Sequence, residues 1–197
     1  ILRKQPHLLL LASYAPSLIN FRGSLLEALV ARGWRVTASA PNMDDVKARL
    51  KAMGVSAVET PLARTGMNPL ADLAYYRSLL ELFRSEKPDV LLAYTAKPVI
   101  WGTLAARIVG VPRVVAMITG LGYAFTSPVR PSIKHRAANL AARLLYRLAL
   151  PRADHVLFQN PDDRELFENL GFTPSPDRVG VTAGSGIDLR HFTPSPP

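Results

Sequence analysis

The sequence contains no cysteine, which excludes disulfide bridges and thiolate-held zinc and fits a reducing cytoplasm. Histidine is scarce. His7, His135, His155 and His191 are the only four, and none is paired with another at metal-ligand spacing. Long apolar runs are missing too. No unbroken stretch is longer than Leu8 to Ala12, far shorter than the ~20 residues of a bilayer span, and that run lacks the length and cleavage site of a secretion signal. No Gly-x-Gly-x-x-Gly follows the first apolar run, and no Gly-Lys-Ser/Thr phosphate loop occurs. A dinucleotide dehydrogenase is therefore disfavoured. Gly184-Ser185-Gly186 is too short to be a nucleophile elbow. Acidic residues are in deficit: 15 Asp+Glu against 24 Lys+Arg leave a net charge of +9. Nucleic acid, an anionic membrane and phosphorylated small molecules all suit that balance. The basic residues are not interleaved with aromatics as in RNA-binding surfaces, so no nucleic-acid partner is expected.

What is present is a regular alternation. The 197 residues suit one domain with a real core. Short apolar runs at 7–13, 35–40, 56–60, 89–94, 113–118, 154–158 and 178–182 read as strands. Helical patterns fall between them at 23–32, 43–53, 69–86, 99–109, 132–150 and 161–170. Gly33 and Gly110 close two of these helices, and Pro69 opens another. This order predicts an α/β fold: a Rossmann-like parallel sheet of about seven strands with helices on both faces. The fourth to sixth runs are apolar enough to be buried on both sides. The chain begins at Ile1 without Met and ends in Thr193-Pro194-Ser195-Pro196-Pro197. Residues 1–192 are thus expected to form one domain and 193–197 to begin an interdomain linker.

In an open parallel sheet ligands bind beyond the carboxyl ends of the strands, so the loops there carry the candidate chemistry. Three of them bear a cation: Arg22, Arg64 and Lys97. Converging on one rim beside helix N-termini, these would make a phosphate or diphosphate site. Gly23 at a helix start would let an anion approach backbone N–H groups. The plainer reading is solvated loop charges and turn glycines. The loop Thr119-Gly120-Leu121-Gly122-Tyr123 is polar and open enough to admit a sugar. Asn160 reads either as a ligand contact or as the cap of the helix starting at Pro161. Asp162-Asp163 and Asp44-Asp45 suit the macrodipole of a first helical turn better than a metal, and no metal is expected.

The helix at 132–150 is basic and amphipathic. Arg136, Arg143 and Arg147 stack on one side, flanked by His135, Asn139 and Tyr146. Ile133, Ala137, Leu140, Ala141, Leu144, Leu145 and Leu148 take the other side and are expected to pack inward. With Arg130, Lys134 and Arg152 nearby, the basic side suits an anionic phospholipid surface, each charge worth about 1 kcal/mol. An ordinary domain helix with solvated arginines is the alternative.

Five ordered stretches carry a family resemblance. They are Asn20-Phe21-Arg22-Gly23, Pro61 to Pro69, Pro88 to Pro98, Ile118 to Tyr123, and Phe158 to Asp163. Together they resemble the N-terminal domain of family-four glycosyltransferases. The likeness is strongest to bacterial enzymes of the N-acetylgalactosaminyltransferase type that extend undecaprenyl-diphosphate-linked sugars. Gly184 to Phe192 looks like that family's crossing into a second domain.

The resemblance implies half of a GT-B architecture, the acceptor-side and often membrane-facing half. It also implies a second domain that binds the nucleotide-sugar donor, UDP-linked, with no other cofactor. Transfer would retain configuration and need no metal. Such a transferase would be hexosyl- or N-acetylhexosaminyl-specific and peripheral on the inner face of the bacterial plasma membrane. It would serve lipopolysaccharide, capsule or glycoprotein synthesis, and this half alone would be inactive. On this reading Arg22 and Gly23 lie near diphosphate. Arg64, Lys97 and the loop of Thr119, Gly120, Gly122 and Tyr123 lie near acceptor, and Arg130, Lys134, Arg136, Arg143 and Arg147 face the membrane. The loop after the fifth strand lacks the histidine that some members carry, so no general base is named. Alternatives are a GT-B-like nucleotide-sugar 2-epimerase and a non-catalytic, membrane-associated binding module.

Overall fold

The computed structural model describes residues 5–64, 66, 68–121, 125 and 132–186. Seven strands form one sheet: β1 (His7–Leu11), β2 (Arg35–Ala40), β3 (Ser56–Glu59), β4 (Val90–Tyr94), β5 (Arg113–Ile118), β6 (His155–Phe158) and β7 (Val179–Val181). Every neighbouring pair is parallel, in the order β3-β2-β1-β4-β5-β6-β7. Among the described residues seven α-helices cover it: α1 (Pro16–Asn20), α2 (Gly23–Ala31), α3 (Asp44–Ala52), α4 (Pro69–Glu86), α5 (Ala96–Val109), α6 (Ile133–Ala149) and α7 (Pro161–Asn169). The expected Rossmann-like sheet is the observed one.

Side chains alternate across the sheet with period two, and this splits the core. Leu8 and Leu10 of β1 join Val36, Ala38, Leu92 and Met117 under Leu18, Leu26, Val46 and Leu50 of α1–α3. Leu9 and Leu11 join Leu91, Ala93, Val114 and Val156 under α4–α7. All of β1 is buried because both faces are covered and both edges are paired. α5 lies so close to β1 that a Cβ on Gly102 would sit 2.8 Å from Leu11 Cδ2. Gly102 is therefore a packing glycine, and no turn requires it.

Three differences from the sequence reading have physical causes. The segment after β1 holds a short helix, α1, with Pro16 in its first turn and Leu18 buried; so few residues give no period to detect. α5 begins at Ala96, ahead of Pro98, because a proline in the first turn removes an N–H that has no intrahelical partner anyway.

The third is α6, whose orientation is corrected. Its inward face carries His135, Tyr146 and Ala149, while Ile133, Ala137, Leu140, Leu144 and Leu148 point outward. Tyr146 wins the interior because it completes an aromatic cluster. Its ring meets Phe167 edge-on at 5.1 Å and Phe125 at 5.9 Å, and Phe167 in turn touches Phe158 and Phe172.

Candidate functional site

The chain order reverses between β1 and β4, which are neighbours although β2 and β3 intervene in sequence. Such a switch point opens a crevice at the carboxyl ends of the strands. The groups around it come from the ends of β1, β4 and β5 and from α1, α2 and α5.

Arg22 is the central feature. It joins α1 to α2 and is only 5% exposed. Its guanidinium stacks over Tyr94 at 5.0 Å, donates to Met117 Sδ at 3.0 Å and to the Phe21 carbonyl at 3.1 Å. Its Nε has no hydrogen-bond partner among the described residues. Among the described residues no carboxylate pairs with it. Burial lowers its pKa, yet a guanidinium stays protonated. A buried, unpaired cation is costly, and thioether and aromatic contacts compensate it weakly. Arg22 thus stands at the crevice as a buried cation.

Beneath it the contacts are polar. Ser17 Oγ donates to the Tyr14 carbonyl at 2.6 Å and lies 2.7 Å from the Tyr94 hydroxyl. Burial pushes the Tyr94 phenol up to about 12, while the Ser17 hydrogen bond and the Arg22 charge pull the other way. Gly23 opens α2, whose N-terminus has no side-chain cap. A Cβ at Gly23 would meet only Met53 Cε, at 3.7 Å, so packing does not force a glycine there. Thr95 adopts φ +70°, ψ 157°, an unfavourable region for a β-branched residue. Its hydroxyl donates to Ser13 Oγ at 2.8 Å, joining the ends of β4 and β1.

The other expected residues divide. Lys97 lies on the rim, but its ammonium pairs with Asp72 at 2.7 Å and donates to the Ala63 carbonyl at 2.8 Å. That tie fixes α4 and its preceding loop to α5 and leaves little free charge. Of the three rim cations, Arg22 is buried, Lys97 is paired with Asp72, and Arg64 is exposed, stacked 4.6 Å over the Tyr14 ring. Thr119 is half-buried at the end of β5, and Gly120 has φ +137°, where glycine is needed. Asn160 is a cap. Its Oδ1 accepts from Asp163 N at 2.7 Å and its Nδ2 donates to Asp163 Oδ2 at 2.9 Å, so its amide is already engaged. Gly122, Tyr123, Arg130 and the segment 187–197 lie outside the described residues, as does the Lys134 side chain.

Tyr14, Ser17, Asp72 and Tyr94 take part in the site without having been singled out. Tyr94 stood inside a matching stretch, and Asp72 sits in the first turn of α4, where an acid is ordinary. Nothing in the spacing linked Asp72 to Lys97.

Residues 20–182 match the glycosyl transferase 4-like domain. The chain belongs to that family. One relative is the UDP-Gal:alpha-D-GlcNAc-diphosphoundecaprenol alpha-1,3-galactosyltransferase of Escherichia coli, 28% identical over 141 residues, covering 72% of this chain and 34% of the relative. Among solved structures, Acinetobacter baumannii MurG superposes with a TM-score of 0.55 at 17% identity, over 95% of this chain and 47% of that one. A UDP-N-acetylglucosamine 2-epimerase from Rickettsia bellii gives 0.60 at 13% identity, over 92% and 45%. The chain therefore spans about a third of the curated relative and about half of the solved chains. The fold is one half of a GT-B architecture.

Proposed function

We propose that this glycosyl transferase 4-like domain is the acceptor-side half of a retaining glycosyltransferase. The complete enzyme would move a hexosyl or N-acetylhexosaminyl unit from a UDP-linked donor, bound mainly by a second domain, to an undecaprenyl-diphosphate-linked glycan. The products would feed bacterial surface-glycan synthesis such as lipopolysaccharide, with the enzyme peripheral on the inner face of the plasma membrane. The E. coli relative, whose name specifies a diphosphoundecaprenol-linked sugar, supports the substrate class. No helix among the described residues is long and apolar enough to cross a membrane.

The observation that carries the reading is Arg22. A buried guanidinium with no carboxylate partner among the described residues, beside an uncapped helix start at the switch point, has the chemistry to accept a diphosphate. An anion there would replace weak contacts to sulfur and ring with charge-assisted hydrogen bonds. Developing negative charge on a phosphate would be stabilised by the same fixed dipoles. Arg64 and the Thr119–Gly120 turn stand on the same rim for the acceptor sugar. Lys97 acts as a positioning residue through Asp72.

The test is Arg22→Met in the complete enzyme. Transfer should fall by about a hundredfold or more, as for loss of one charge-stabilising donor, while the thermal midpoint stays the same or rises. Near-parental transfer would remove Arg22 from the reaction. The epimerase alternative shares the fold alone. It predicts conversion of UDP-N-acetylglucosamine by the complete protein without any acceptor.

A further inference from the structure

Helix α6 reverses the usual polarity of a domain helix. Ile133 is 86% exposed, Leu140 61%, Leu144 55% and Leu148 49%. With Ala137, these positions recur every three or four residues and form one unbroken apolar stripe along the outer face. Arg136, Arg143 and Arg147 are exposed along one flank of it. From Ser132 to Ala153 the sequence contains no Asp or Glu. Water does not favour such a stripe, and the sheet already has its cover in Tyr146, Ala149 and the partner rings.

We propose that α6 inserts this stripe into the headgroup–acyl boundary of an anionic bilayer, with its arginines among the lipid phosphates. The occupant follows from the pairing of features. A long apolar ridge beside cations, with no acid on the helix itself, complements a lipid surface, whereas an acidic protein groove would not need four large aliphatic groups in line. The contact is therefore hydrophobic insertion steered by charge, and not adsorption by arginines alone.

It also sets an orientation. α6 follows β5 in a crossover to the parallel strand β6, so it runs antiparallel to the strands, its Ser132 end at the rim. Its 17 residues span about 25 Å. With that length in the interface, the strands lie parallel to the membrane plane and the switch-point crevice opens along it. A lipid-linked diphosphate, held at headgroup height, would enter sideways. That last step rests on the transferase reading; the docking does not.

The test needs no sugar transfer. The parent chain should co-sediment with vesicles of equal phosphatidylglycerol and phosphatidylcholine, and part of this binding should survive a rise from about 0.1 M to about 0.5 M salt, which shortens the screening length. Leu140→Gln/Leu144→Gln should weaken partitioning at least about tenfold at both salts, and circular dichroism should confirm an unchanged fold. Arg143→Gln/Arg147→Gln should lose its binding chiefly at low salt. Because the chain has no cysteine, Leu144→Cys offers a single site for a solvent-sensitive fluorophore, whose emission should shift to the blue on these vesicles. Parental binding by the leucine variant, or an unshifted fluorophore, would overturn the proposal. So would a lipid-free dimer of the parent that the leucine variant dissolves, since a second copy would then cover the stripe. If docking holds and the complete enzyme transfers no sugar, the transferase reading alone falls.

Discussion

α4 and α6 cover the same face of the sheet, run in the same direction and are both rich in leucine, yet along most of their length they turn it opposite ways. α4 buries Tyr75, Leu79, Leu82 and Phe83 and, beyond Leu70 and Leu73 in its first turns, meets solvent through Arg77, Glu81 and Arg84. α6 buries His135, Tyr146 and Ala149 and leaves Ile133, Leu140, Leu144 and Leu148 outside. The difference teaches that an apolar arc on a helix says only that something apolar will meet it. Which arc faces the core depends on the shape already waiting there: beneath α6 that is a set of phenylalanine rings.

The sharpest test of this contrast is energetic. Tyr146→Ala should cost about 3–5 kcal/mol in urea unfolding, and Leu79→Ala in α4 about 2–5 kcal/mol, since both leave cavities in the core. If Tyr146→Ala were mild, α6 would not be anchored through its aromatic face. α5 packs against both helices, and Gly102→Ala should loosen it from β1 at a cost of about 1–3 kcal/mol through the clash with Leu11.

Capping probes the two helices alike. Asn68 accepts from the N–H groups of Leu70 and Ala71, and Ser132 accepts from that of His135. Asn68→Ala and Ser132→Ala should each cost about 1 kcal/mol; a silent Ser132→Ala would mean that the start of α6 is loosely held.

The far end of α4 adds a pH effect. Buried His7 has Nδ1 3.1 Å from the Glu86 carbonyl and Nε2 2.9 Å from Thr37 Oγ1. Burial, then the nearby Arg35 charge, lowers its pKa below the usual 6.5. As pH falls below 6.5 the unfolded chain takes up the proton first, so the stability present above that value is lost progressively down to the folded-state pKa. Urea midpoints at pH 7.5 and 5.5 should show this loss, and His7→Gln should flatten it. The smallest effect belongs to the outer stripe. Leu144→Ala should change stability by no more than about 0.5 kcal/mol, and a larger loss would show that α6 leans on its leucines after all.

The sheet was legible because each strand is a compact apolar run closed by glycine, proline or a helix start. Three of the helices were harder, each for a reason that lies outside local sequence. α1 is too short to show a period. α5 starts ahead of a proline, and α6 offers two apolar arcs between which only the tertiary environment chooses. In the candidate site, placing Arg22, Gly23, Arg64 and Lys97 on one rim required only the order of strands and loops. Their burial and their partners did not follow. Asp72 lies 25 residues before Lys97, and the ring that receives Arg22 lies on β4, so both partners are set by the fold.

The position of β1 at the middle of the sheet has a cost in time. Its His7 meets Asp89, 82 residues further along the chain, so at about 5–20 residues per second of synthesis the wait is roughly 4–16 s. Throughout that interval four consecutive leucines stand with one edge unpaired. A nascent chain of this protein must therefore be kept from its neighbours until β4 has emerged, and ribosome-bound chains ending before Val90 should be its most aggregation-prone form.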